Sequence, residues 1–116
     1  MGKQITPKQA ATLCNNFDTK YQNLCKLINK DDNRSVLFSL EELKQYISYL
    51  EDANMDIDGI RVYFGSYANG EGPEKKESDN MSTVFLAPVS NDVDNTKLNV
   101  LNWENNGNPP QKKYTL

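Results

Sequence analysis

Histidine is absent from this chain, and cysteine occurs only twice. Without an imidazole there is no Ser-His-Asp or Cys-His nucleophilic machinery, and the usual general base near neutral pH and the commonest transition-metal ligand are both missing. A structural zinc site would have to be completed by carboxylates, an uncommon ligand set. Cys14 and Cys25 stand eleven residues apart in one helical pattern. That is about 16 Å along a helix axis, beyond the roughly 7 Å between Cα atoms that a disulfide bridges. They read as free thiols packed as small apolar side chains in a reducing compartment. A nucleophilic role for either would need a depressed pKa, and neither a histidine nor a cluster of cations stands by to supply one.

Long apolar runs and basic clusters are equally scarce. No stretch approaches signal-peptide or membrane-span length, and the opening Met-Gly-Lys-Gln-Ile-Thr-Pro is polar. A soluble, cytoplasmic protein with no membrane partner is expected. The largest basic clusters are Lys75-Lys76 and Lys112-Lys113, in a chain of net charge −3 and pI near 4.9. Clustered cations are what displace counterions from a phosphate backbone, so direct nucleic-acid binding is not expected. The 116 residues suffice for one core, and a mean hydropathy of −0.74 implies that part of the chain lies outside it. The expected division is a single α+β domain over residues 1–104 and an extended, Pro-containing tail over 105–116 docked on it.

What is present begins with two amphipathic patterns. Thr6-Pro7 reads as an N-cap followed by proline at the first helical position. Ala10, Leu13, Phe17, Tyr21, Leu24 and Ile28 then follow at spacings of three and four, one face of a helix. The aperiodic stretch 29–34 ends it. Ser39 and Glu42 have capping-box spacing and open a second helix at Leu40, with Leu40, Leu43, Tyr46 or Ile47, and Leu50 as its apolar stripe.

Two strands follow. Residues 59–67 (Gly-Ile-Arg-Val-Tyr-Phe-Gly-Ser-Tyr) and 82–89 (Ser-Thr-Val-Phe-Leu-Ala-Pro-Val) are rich in β-branched and aromatic residues and lie between turn formers. Alternation in the first directs Ile60, Val62 and Phe64 toward a core, and Arg61, Tyr63 and Tyr67 to the other face. The second reads as central and buried on both faces, with Pro88 marking its end or a bulge. The connection between them, 68–81, exceeds a usual hairpin loop and mixes Glu71, Glu74, Glu77 and Asp79 with Lys75 and Lys76. Residues 97–103 offer a third strand or a docking segment anchored by Leu98, Val100 and either Trp103 or Leu101.

Few constellations carry chemistry. Residues 54–59 (Asn-Met-Asp-Ile-Asp-Gly) imitate the start of a calcium loop, but the twelfth position, where a glutamate closes the cage, is Gly65. Asp56 and Asp58 with Asp92 or Asp94 would suit a magnesium site only if the fold joined them, and otherwise read as solvated turn residues. Arg61, Tyr63 and Tyr67 are the residue types enriched at binding hot spots and define a candidate recognition stripe, with Glu71, Glu74 and Glu77 in the adjoining loop. The competing reading covers that face with a helix, brings Tyr46 or Tyr49 near it and pairs Arg61 with a carboxylate. Pro109-Pro110 is a weak proline-recognition signal.

Four segments together resemble an uncharacterised family of small bacterial proteins: 38–43 (Phe-Ser-Leu-Glu-Glu-Leu), 59–67, 82–88, and an ending with Asn106-Gly107-Asn108-Pro109-Pro110 and Lys113-Tyr114. The resemblance implies that the tail belongs to the folded unit. It implies no activity, ligand or cofactor. The expected protein is α+β, with two N-terminal helices packed on a small, mainly antiparallel sheet. Its expected role is a non-catalytic interaction module with no cofactor, an inhibitor or immunity-type protein whose acidic and aromatic surface occupies a larger macromolecular target such as a nuclease. The alternative is a small-molecule or metal-dependent enzyme using Arg61, Tyr63, Asp56 and Asp58.

Overall fold

The computed structural model describes residues 2–53, 55–72, 75–90, 97–103 and 114–115, with the backbone alone at 75 and 76. Two helices precede a three-stranded antiparallel sheet, an α+β arrangement: α1 Pro7–Ile28, α2 Leu40–Glu51, β1 Ile57–Ser66, β2 Ser82–Ser90 and β3 Leu101–Asn102. Contacts divide the chain into two units, Met1–Ser35 with Pro109–Leu116, and Val36–Asn108. Most of the tail expected over 105–116, with Asp92, Asp94 and Glu74, lies outside the described residues.

In the first unit, α1 starts where the Thr6-Pro7 signal sets it. The Gln9 N–H donates to the Thr6 hydroxyl at 3.1 Å and the Thr6 N–H to the Gln9 side chain at 2.9 Å, a reciprocal capping box around Pro7. Asn29 ends the helix in the left-handed conformation at φ 58°, its N–H reaching the carbonyls of Cys25 and Lys26. The aperiodic stretch beyond does more than stop the helix. It turns back along α1, where the Tyr21 hydroxyl donates to the Asp32 carbonyl at 2.9 Å and the Asp32 N–H donates to Cys25 Sγ at 3.3 Å. Arg34 lies 4.2 Å over the Tyr21 ring and pairs with Asp18 at 2.7 Å. Tyr21 is thus the buried member of the expected apolar face, whereas Leu13 stays exposed. Both cysteines are free and half-buried.

The second unit is organised by α2 and β2. Ser39 caps α2 by accepting from the Glu42 N–H at 3.0 Å. Tyr46 and Leu50 then pack with Leu86 of β2, joined at the margin by Phe38, Leu43, Ile57, Leu98 and Leu101. Each such buried side chain contributes about 1.5–3 kcal/mol over leaving it in water. The stripe is narrower than the sequence predicts: of the two candidates at one turn Tyr46 is inward, and Ile47 and Leu40 face solvent. The Tyr46 hydroxyl donates to the carbonyls of both Leu86 and Asn99, at 3.2 and 2.8 Å. Tyr49 stacks on Tyr46 at 6.0 Å and accepts the Asn99 N–H at 3.0 Å. The two tyrosines therefore clamp the segment leading into β3, and burial, followed by the neighbouring Tyr49, pushes the Tyr46 phenol pKa up.

β2 is the central strand, as its composition implies, with β1 and β3 on either side. Its burial is uneven: Thr83, Leu86 and Pro88 are buried, and the remaining positions are half-buried. Pro88 does not end the strand but sits inside it, opposite Ile60. The Trp103 N–H bonds the Val84 carbonyl, so Val84, Leu86 and position 88 direct their backbone groups toward β3. Among the described residues β3 pairs only with Phe85 and Leu86, so the N–H that proline lacks would have met no ladder partner of that strand.

The 68–81 connection carries a short 3-10 helix, Lys75–Ser78, and the buried side chains of Ser78 and Met81. Gly70 takes a φ of +81°, and Gly72 lies against Ser78 and the Tyr67 ring so closely that any Cβ would collide.

Candidate functional site

β1 forms one edge of the sheet, and among the described residues nothing pairs with its outer side. It runs ten residues from Ile57 to Ser66, two longer at its start than the sequence pattern, with a register shift between Ile57 and Gly59. The calcium-loop imitation fails structurally for this reason: the residues that would close the cage lie in the strand. The Tyr67 N–H bonds the Met81 carbonyl, so by alternation Arg61, Tyr63 and Gly65 direct their backbone groups inward to β2. Ile60, Val62, Phe64 and Ser66 direct theirs outward.

The side chains of those outward residues overturn a central expectation. Alternation assigns Ile60, Val62 and Phe64 to the core; they are 37%, 54% and 88% exposed. They do share the face of Leu86, since Val62 opposes Leu86 and Phe64 opposes Val84. The residues of α2 that reach the sheet, however, pack on Leu86 and on Ile57 at the start of the outer strand, and Val62 and Phe64 are not among their partners. A face pattern in the sequence cannot report how far across a sheet its covering helix extends.

The residues of the expected recognition stripe differ in exposure. Arg61 and Tyr63 are exposed on the other face, where the Tyr63 ring stacks on Phe85 at 5.1 Å, and no carboxylate among the described residues pairs with Arg61. Tyr67 is half-buried and its hydroxyl is engaged within the unit, with the Thr83 hydroxyl at 3.0 Å and the Trp103 carbonyl at 3.1 Å. Glu71 is exposed but accepts the Ala68 N–H at 2.8 Å, so it shapes its own turn, and Glu77 is exposed in the 3-10 helix. Tyr46 and Tyr49 lie with the Leu86 side, so the covering helix expected over Arg61 is on the opposite face.

A groove of about 460 Å³ opens where α2 meets the start of β1. Ile47, Leu50, Met55, Ile57 and Ile60 supply its apolar lining, and Glu51, Asp56 and Asp58 its charge. All three carboxylate residues are exposed, and no cation among the described residues pairs with them. Arg61 and Tyr63 do not line it, so the four residues of the enzymatic alternative are not gathered in one pocket. Among the described residues no three histidine, cysteine, aspartate or glutamate side chains converge as a metal site, and no helix is long and apolar enough to cross a membrane.

The sequence does not announce the groove, because it joins the end of α2 to the start of β1 across a turn whose Asp56 and Asp58 suggest either metal ligands or solvated turn residues. Its only signal was the alternation of acidic and apolar residues over 55–58. Compared with family models, curated proteins and solved structures, the chain finds no match.

Proposed function

We propose that this protein is a non-catalytic interaction module that binds a larger macromolecular partner and blocks it, as inhibitors and immunity-type proteins do. One observation carries the reading: Ile60, Val62 and Phe64 form an exposed apolar stripe along a strand edge that no described residue pairs. Natural edges are blunted by lysine, proline, bulges or brevity. β1 has ten residues, no lysine, no proline and one irregularity at its very start. Apolar side chains left at an open edge suit a surface that is covered in use. The net charge of −3 adds a preference for a basic partner, for which a nuclease is a fitting target class. The working surface is thus the stripe and groove, with Arg61 and Tyr63 on the opposite face of the same strand. The family resemblance brings no activity to weigh against this.

The test is affinity capture from the native host with the wild-type chain and with Phe64→Glu. A protein retained by the first and lost from the second is the expected result. No retained protein, together with a thermal midpoint raised by a metabolite, would instead favour the small-molecule alternative.

A further inference from the structure

The open edge also specifies what kind of chain lies on it. Strand addition requires unpaired backbone groups, accessible side chains beside them, and a feature that fixes direction and register. β1 has the first two at the same residues: Ile60, Val62 and Phe64 turn both their backbone groups outward and their side chains to solvent. The third is electrostatic. Glu51, Asp56 and Asp58 line the groove at the strand's start with no cation among the described residues paired to them, and no carboxylate lies on β1 beyond Asp58. Ile60 belongs to both the groove and the stripe, so the acidic end and the apolar stretch are continuous.

We propose that β1 accepts an extended segment of a partner protein as a fourth, antiparallel strand, and that this segment carries alternating apolar residues followed at its C-terminal end by lysine or arginine. Antiparallel pairing continues the existing sheet and sets the segment's C-terminal residues beside the start of β1. Its apolar side chains then oppose Phe64, Val62 and Ile60 in turn, and its cations reach Asp58, Asp56 and Glu51. Opposite-charge and apolar cross-strand neighbours each favour this register, and reversing the segment brings its cations to the apolar end instead. The inference deepens the interaction reading and rests on it.

A fluorescein-labelled peptide, Ser-Val-Thr-Val-Thr-Ile-Thr-Arg-Lys, titrated into the intact chain tests this by anisotropy and amide chemical shifts. Saturable binding is expected, with the largest shifts at Ile60, Val62 and Phe64. Replacing Arg-Lys by Glu-Glu, or methylating the backbone nitrogen of its central valine, weakens it on the order of tenfold, the equivalent of about 1.4 kcal/mol. Asp56→Asn with Asp58→Asn weakens the Arg-Lys peptide and leaves the Glu-Glu peptide no weaker. Equal binding of the N-methylated peptide, or no binding at all, overturns strand addition. Shifts at the same amides that grow with protein concentration before peptide is added also overturn it, naming a second copy as the occupant. If the peptide fails while host capture remains sensitive to Phe64→Glu, the mode of binding falls and the interaction reading stands; if capture fails too, both fall.

Discussion

β1 and β2 are neighbours with similar composition, each rich in aliphatic and aromatic residues, yet one is buried at Thr83, Leu86 and Pro88 while the other has Phe64 almost wholly in water. The difference is position. β2 has a strand on each side and its Leu86 packs with Tyr46 and Leu50, whereas among the described residues β1 has one strand and Val62 and Phe64 stay exposed. Strand propensity reflects fitness for a pleated, half-buried surface and is silent on which strand lies at the edge.

The contrast can be broken by truncating equivalent apolar residues. Leu86→Ala and Leu50→Ala remove side chains at the centre of the α2–β2 cluster and should cost about 2–5 kcal/mol, measured by urea unfolding. A loss below 1 kcal/mol would show that the cluster does not organise the second unit. Alkaline titration gives the next effect, in the first unit. Burial, with the hydrogen bond and charge of Cys25 and the charge of Asp31, pushes the Tyr21 phenol up to about 12. The folded pKa then lies above the unfolded value near 10, so the stabilisation is complete below about pH 10 and is lost as pH climbs toward 12. On the order of 2 kcal/mol should disappear over that window and be absent from Tyr21→Phe, which separates it from lysine titration.

Tyr46→Phe keeps the ring in the cluster but strands two carbonyls that share its hydroxyl, those of Leu86 and Asn99. A loss of about 1–2 kcal/mol is expected, with faster amide exchange at Asn99. Smallest of all, Val62→Thr and Phe64→Thr should change stability by no more than about 0.5 kcal/mol, because those side chains are already in water. A large loss at either would mean that the stripe is covered in the folded protein.

Much of the architecture was legible because it rests on local signals. Thr6-Pro7 and Ser39 set the helix starts, Asn29 its end, and the β-rich runs set two strands in antiparallel register. What was not legible depends on contacts distant in the chain. Periodicity placed Ile60, Val62 and Phe64 on the correct face, but the reach of α2 over that face lies in packing. The clamp on Asn99 joins Tyr46 and Tyr49 to residues some fifty positions away, and no local pattern announces it. Likewise, the turn-back of 29–34 depends on Tyr21, Asp18 and Cys25 meeting a stretch whose aperiodicity reads as an ending. Of the expected recognition residues, Arg61 and Tyr63 are exposed and Tyr67 is internally engaged, while Asp56 and Asp58, which the sequence offers as metal ligands, enzymatic residues or solvated turn residues, line the groove with Glu51.

The central claim is that β1 presents an unpaired edge, and residue-resolved amide exchange tests it most directly. In the dilute, isolated protein, the inward amides of Arg61, Tyr63 and Gly65 should be protected while those of Val62 and Phe64 exchange close to the rate of an unstructured peptide. Uniform protection along the strand, unchanged on dilution, would contradict it.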